Sequence, residues 1–389
     1  MKQSLSLRLT KENENYHSLP WGRGLGWGGD FQVKKFLSLV LLIMMVTSCG
    51  GGGGGGEGEG EGSHNGEVEG CVDVAPDSDA FNIESGEIWI NSGNGSLLYL
   101  RILQPDSNEN REKCFPALIP IPGGFGNGAP LADSPIYRDL ASKGFVVVTF
   151  NLPGRGNNLP GNLQSDGLQN YNGFIDQDAL KAVIEYVSGL QNVTMNNIGV
   201  QTSSFGITAG AGVLGRYPEL PVKYLIDFEG PSECFNTAFE TWALDSDPSN
   251  DRHEQFHRMT GHYCTTRDPS SENESWWAER EALRYVGSIR ARYMRVQNQW
   301  DHAQPPNMQY PSWDYPPLWY QNKHAIDMVN AATNGSSPWT RINGDKINNP
   351  TNTIYSRESP PEYYTYPKNG VPSQEIVPLI VEMAKMPPL

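Results

Sequence analysis

Cationic residues are scarce in this chain of 389 residues: 29 Lys and Arg stand against 44 Asp and Glu, a formal net charge of −15. Phosphate backbones are bound through clustered Lys and Arg, and no such cluster occurs here, which argues against a nucleic-acid partner. Long apolar runs are missing too. The run from Phe36 to Val46 falls well short of the roughly 20 residues a helix needs to cross a bilayer. No internal repeat is visible, which sets aside solenoid architectures. Histidine is sparse, seven residues in all, and none follows His324, an absence that bears on the chemistry below. Glycine is plentiful but uneven: much of the 42 falls in one tract before residue 62, so the remainder has the composition of an ordinary globular domain.

The first seventy residues read as addressing. Lys34 and Lys35 precede the Phe36 to Val46 run, which has the length of a signal-peptide apolar core. The run ends in Val46-Thr47-Ser48-Cys49, which resembles the lipobox of bacterial lipoproteins. That resemblance implies a lipid on Cys49, a bilayer as partner and a place in the cell envelope. Gly50 rather than Asp after the cysteine suits the outer membrane where two membranes exist. Residues 1–32 are polar and without periodicity and precede the signal at 33–49, so they read as a non-native extension upstream of a start at Val33. Residues 50–70 alternate Gly and Glu and read as a flexible tether. Beyond Cys49, Cys71, Cys114, Cys234 and Cys264 form an even set for an oxidising compartment. Proximity favours Cys71 with Cys114 and Cys234 with Cys264, among three possible connectivities.

Residues 71–389 read as one domain of alternating strands and helices. Glu87–Asn91 and Leu97–Leu103 flank Ser-Gly-Asn-Gly and predict a hairpin. Pro116–Pro120 and Phe145–Phe150 are short continuous apolar runs suited to buried parallel strands, with a helix over Tyr137–Ser142 between them. Further strands are expected at Ile198–Gln201, Tyr224–Phe228, Tyr293–Gln297 and Trp339–Ile342. Helices are expected at Asp176–Leu190, after Ser204, at His324–Ala332 and at Gln374–Lys385. This order predicts an α/β fold: a doubly wound, mostly parallel eight-stranded sheet. Residues 231–290 break the rhythm and predict a cap insertion. Pro305–Tyr320 reads as a long aromatic loop.

Thr202-Ser203-Ser204-Phe205-Gly206 follows a strand and precedes Gly- and Ala-rich helix. It resembles the G-x-S-x-G nucleophile elbow of the α/β-hydrolase superfamily, with Thr202 in place of the first glycine. Pro122-Gly123-Gly124-Phe125-Gly126 resembles the superfamily's oxyanion loop, and Gly154-Arg155-Gly156 resembles the R-G-x-G turn of its dienelactone-hydrolase-like and prolyl-oligopeptidase-like branch. The resemblance implies a serine hydrolase of small-molecule esters, amides or peptides that forms an acyl-enzyme and needs no cofactor. Ser204 would be the nucleophile, with oxyanion donors at Gly124, Phe125 and Phe205. Asp301, after the seventh strand, is the expected acid, and Glu229, after the sixth, is the alternative.

The base departs from the pattern. The superfamily places its histidine after the eighth strand, where this chain has Asn348 and Asn349, and an amide cannot accept the serine proton. His324 is the expected substitute, read as lying in the first turn of its helix, where the dipole favours neutral imidazole. His302 is the alternative. A catalytically inactive binding protein is the second functional reading. The third is a zinc hydrolase in the cap, because His253-Glu254-Gln255-Phe256-His257 matches H-E-x-x-H.

Overall fold

The computed structural model describes residues 71–93, 95–161, 163–234, 257–264, 268–299, 317–344, 346–365 and 373–389. Cys49 and the signal and tether segments lie outside these residues, as do His253, Glu254, Asp301 and His302. The strands are β1 (Val72–Asp73), β2 (Ile83–Asn91), β3 (Leu97–Pro105), β4 (Lys113–Ile121), β5 (Val146–Phe150), β6 (Val193–Ser203), β7 (Val222–Phe228), β8 (Arg292–Val296) and β9 (Thr340–Ile342). The helices are α1 (Pro135–Ser142), α2 (Phe174–Ser188), α3 (Ile207–Arg216), α4 (Ser271–Ala278), α5 (Leu283–Val286), α6 (Pro317–Asn334) and α7 (Ser373–Lys385).

The sheet runs β2-β3-β5-β4-β6-β7-β8-β9. The pairs β2–β3 and β3–β5 are antiparallel and the remainder parallel. These are the eight strands the sequence predicts. The two-residue β1 is an addition beside the start of β4, pairing Val72 with Lys113 and Asp73 with Cys114. A Cys71–Cys114 disulfide fastens the same point, and Cys234 bonds Cys264, the pairing that proximity favours. The β2–β3 turn is held as its sequence demands: Gly93 and Gly95 both have positive φ, and both donate to the Asn91 side chain, at 2.8 and 3.2 Å.

Period-two alternation distributes the strand residues between two cores. Ala117, Ile119, Val146, Val148 and Leu225 pack on one face with Leu180, Val183, Val213 and Ile326 of α2, α3 and α6. Leu118, Val147, Tyr224 and Ile226 pack on the other with Leu140 of α1 and Ile380 and Met383 of α7. Because helices cover both faces, β4 and β5 are nearly continuous apolar runs rather than alternating with polar residues.

Two boundaries differ from the sequence reading. Helix α6 begins at Pro317, so His324 lies two turns inside it and the helix-dipole argument for that histidine does not hold. Proline fits the first helical turn, and the aromatic composition of this stretch hides the start. Within the segment read as cap, Ala282, Val286 and Ile289 belong to the main core, so α5 packs with α3 and α6 on one face of the sheet.

Candidate active site

The chain leaves β4 for β5 on one side and later crosses to β6 on the other. The carboxyl ends of β4 and β6 therefore flank the point where the winding reverses, the place where open α/β sheets bind ligands. Strand β6 ends at Ser203, and one 3-10 turn, Ser204–Gly206, leads into α3. Ser204 is half-buried with φ +50, a left-handed conformation that strains any residue with a Cβ. The loop after β4 presses against it: a Cβ on Gly123 would lie 3.0 Å from the Ser204 Cβ, and one on Gly206 would lie 2.6 Å from the Pro122 carbonyl oxygen. Strand order, crossover point and strained serine turn agree. This is the α/β-hydrolase fold.

Thr202 stands where the superfamily has glycine, and α3 compensates for it. A Cβ on Gly210 would fall 2.4 Å from the Thr202 methyl, so the glycine lost from the strand end reappears as space in the helix. Gly210→Ala is expected to destabilise the fold through this overlap, and adding Thr202→Gly to relieve it. Thermal unfolding of the four members of this cycle should give a coupling of about 2 kcal/mol, and additivity would exclude the compensation.

Around the serine the side chains are aromatic. The Phe125 ring meets Phe205 edge-on at 5.6 Å and Tyr171 at 4.8 Å. Phe205 in turn packs with Trp277 and the Cys234–Cys264 disulfide in a small core of its own, so the described part of the cap is stapled beside the elbow. Arg280 anchors this cap to the loop before α2: buried, it stacks on Trp276 at 3.8 Å and donates to the carbonyls of Asn170 and Tyr171 at 2.6 and 3.1 Å. Burial brings its guanidinium down to about 10 against the opposing pull of Glu279.

Glu229 follows β7 with φ +51 and is buried. Its carboxylate accepts the Asn298 N–H at 3.1 Å, at the end of β8, so the alternative acid stands at the carboxyl edge rather than on the surface. His324 is also fully buried. Its Nδ1 lies 3.0 Å from the Gly230 carbonyl and 3.3 Å from Arg295 Nη2. The carbonyl only accepts and the guanidinium only donates, so one tautomer satisfies one of them. The shorter contact puts the proton on Nδ1 and leaves Nε2 as the basic nitrogen. Arg295 is itself paired with Asp227 at 2.6 Å, both fully buried, and Asp227 also accepts the Tyr293 hydroxyl at 2.7 Å. Directly after β9 comes Asn343, whose side chain accepts from Gln297 N at 2.7 Å and donates to the Glu362 carbonyl at 3.1 Å. Asn349 likewise bonds backbone, donating to the carbonyls of Ile342 and Glu362. Both asparagines are committed to holding loops.

In the cap, His257 stacks on Tyr263 at 3.8 Å, and His262 stacks on Trp276 with its Nδ1 3.2 Å from the Asn273 side-chain oxygen. The sequence reading missed the buried pairs Asp227–Arg295 and Arg155–Asp176. In the second, burial moves both groups against ionisation, the carboxyl up and the guanidinium down, opposed by the attraction between them. Arg155 was signalled only as part of its glycine turn.

Glu233, at the foot of the cap, has its carboxyl pushed up to about 7 by burial and then by the carboxylates of Glu281 and Asp327, against Lys323 and Arg284. The folded state thus holds this proton more tightly than the unfolded chain. The stabilisation is complete below the ordinary value of 4.5 and is lost as pH rises to about 7. Glu233→Gln is expected to raise stability at pH 8 by about 1 kcal/mol after solvent screening and to change little below pH 4.5. Melting curves of both proteins across this range test it, and a gain equal at both ends would refute the titration.

No family model matches the chain, and no curated protein is similar to it. Among solved structures it is similar to prolyl oligopeptidase B from Galerina marginata, with 11% identity over 78% of this chain and 36% of that one and a TM-score of 0.45. It is similar to acetyl xylan esterase 1 from a Thermoanaerobacterium species, with 15% identity over 79% of this chain and 90% of that one and a TM-score of 0.44. An esterase from Pyrococcus furiosus has 17% identity over 67% of this chain and 81% of that one, at a TM-score of 0.42. The chain spans only 32% to 37% of the length of the peptidase chains it matches. The fold assignment stands on the strand order and the serine turn, and these likenesses add nothing to it.

Proposed function

We propose that this chain is a serine hydrolase that cleaves an ester, amide or peptide bond through an acyl-enzyme on Ser204, outside the cytoplasm and held to a membrane through a lipid on Cys49. The observation that carries the reaction is the strained Ser204 turn at the winding reversal, seated against the glycine loop after β4. The Ser204 hydroxyl attacks the carbonyl carbon and passes its proton to His324 Nε2. The N–H groups of Gly124, Phe125 and Phe205 receive the oxyanion. The imidazolium then protonates the leaving group, and water repeats the sequence on the acyl-enzyme. Glu229 or Asp301 supplies a carboxylate that stabilises the imidazolium by its charge alone, the Nδ1 proton being held by the Gly230 carbonyl, and the burial of Glu229 at the carboxyl edge favours that residue.

The test is to treat the full chain with a fluorophosphonate probe and map the adduct by mass spectrometry. Modification of Ser204 is expected. No adduct, or one that persists in Ser204→Ala, would overturn the reading. A persisting adduct would place the nucleophile elsewhere, whereas no adduct would favour a binding protein on a hydrolase scaffold, a second reading supported by Asn343 standing as a loop-holding amide directly after β9. Metabolic incorporation of labelled palmitate, lost in Cys49→Ser, is the expected result for the anchor.

A further inference from the structure

We infer that Arg155 is the positioning residue that keeps the two halves of the oxyanion site in register, a role that rests on the serine-hydrolase reading above. Its side chain is buried, as is that of its partner Asp176. Nη1 donates to the Gly126 carbonyl at 3.2 Å, the residue after the expected donor Phe125. Nη2 donates to the Asn172 side-chain oxygen at 2.6 Å and pairs with Asp176 at 3.1 Å. Asn172 carries the connection onward. Its backbone N–H donates to Asp176 at 2.6 Å, and its side-chain nitrogen donates to the Phe205 carbonyl at 2.8 Å, an oxygen also bonded by the Thr208 hydroxyl at 2.9 Å. One planar cation therefore reaches the glycine loop on one side and, through a single amide, the elbow on the other.

The surroundings fix the geometry of this clamp. Gly154 and Gly156, on either side of Arg155, have φ +71 and +101. A Cβ on the first would sit 2.5 Å from Gln169 N, and on the second 2.5 Å from the Leu163 carbonyl, so the turn is pressed into the loop behind it. Asn172 is itself left-handed, at φ +65, a conformation that asparagine tolerates. A buried ion pair alone contributes little to stability. This one differs in what else it binds: the backbone carbonyl next to one oxyanion donor, and through Asn172 the carbonyl of another. Lysine provides a point charge without the two-pronged fork and cannot span both sides.

The test uses the full chain, Arg155→Lys, and the double variant R155M/D176L, which removes both buried charges together so that none is left unpaired. Three quantities are measured for each: the fluorophosphonate labelling rate at Ser204 per folded molecule, kcat and KM for p-nitrophenyl acetate, and thermal unfolding. Both variants are expected to label and turn over roughly 100-fold more slowly, with KM within about threefold of the parent, because oxyanion donors displaced by an ångström weaken the transition state more than substrate binding. A merely structural arginine would lower the melting temperature and leave the labelling rate of the folded molecules unchanged, which would overturn the inference. If Arg155→Lys does not fold, the double variant carries the same comparison. Should the parent chain itself fail to label, the hydrolase reading falls and the positioning role falls with it. If the parent labels and the variants match it, only the positioning role falls.

Discussion

Replacing Ser204 by alanine is expected to lower kcat for a p-nitrophenyl ester by roughly 10⁵-fold, because the acyl-enzyme route is lost and only oxyanion stabilisation and binding remain. Replacement by glycine is expected to be as inactive, but the two variants should part company in stability. At φ +50 the Cβ is strained with either serine or alanine, and glycine alone is at ease there. Ser204→Gly should therefore be more stable than Ser204→Ala in thermal unfolding, by about 1 kcal/mol. That pattern joins loss of function to relief of strain, the expected mark of a residue held in its conformation for chemistry. Equal stability of the two variants would show that the turn stores no strain. Residual activity within tenfold of the parent would place the nucleophile elsewhere.

The largest effect on stability is expected from Arg295→Met. Asp227 and Arg295 face each other in the parallel register of β7 and β8, both fully buried. Arg295 also donates to the Gly230 carbonyl at 2.6 Å and to Gln297, while Asp227 accepts from Tyr293 and from Gly230 N. Removing the cation leaves a carboxylate in an apolar sheet, a loss of about 3–5 kcal/mol, and a fall in melting temperature of about 10 °C. Converting Asp227 to Leu as well should restore most of that loss, because the attraction between the two charges was largely cancelled by the cost of removing them from water. A double variant as unstable as Arg295→Met would show that the neighbouring hydrogen bonds, and not the lone charge, dominate. Activity is a separate readout, since Arg295 also contacts His324 and its loss is expected to disturb the base even where the fold recovers.

Most of the sheet was legible because its strands advertise themselves. Runs such as Phe145 to Phe150 have no polar alternation, and only strands covered on both faces can be so uniformly apolar. The elbow and glycine loop were legible for a related reason, since close approach of two backbones demands glycine at particular places. Other features were hidden. Helix α6 starts inside a stretch dense in Pro, Trp and Tyr that carries no helical period, so His324 was placed two turns too near the helix start. The charges of Arg295 and Asp227 sit in strands that otherwise read as apolar. That they neutralise each other depends on the register between β7 and β8, which neither segment encodes alone. Arg155 and Asp176 meet across a loop whose course is set by tertiary contacts, beyond the reach of periodicity. The space that Thr202 needs in place of the first glycine comes from Gly210 of the next helix, a compensation that the motif alone does not carry.

The chain enters the domain at Val72, beside the first residue of β4, whereas Ser204 stands past the far end of the adjoining strand β6. Nine residues of β4 lie between, about 25 Å of extended backbone. Entry and crevice thus occupy opposite rims of the sheet, and the Cys71–Cys114 bond clamps the entry where it is. Substrate therefore meets the serine at the rim opposite the Cys71–Cys114 bond, and a change at the entry end of the domain is separated from the crevice by the whole length of β4.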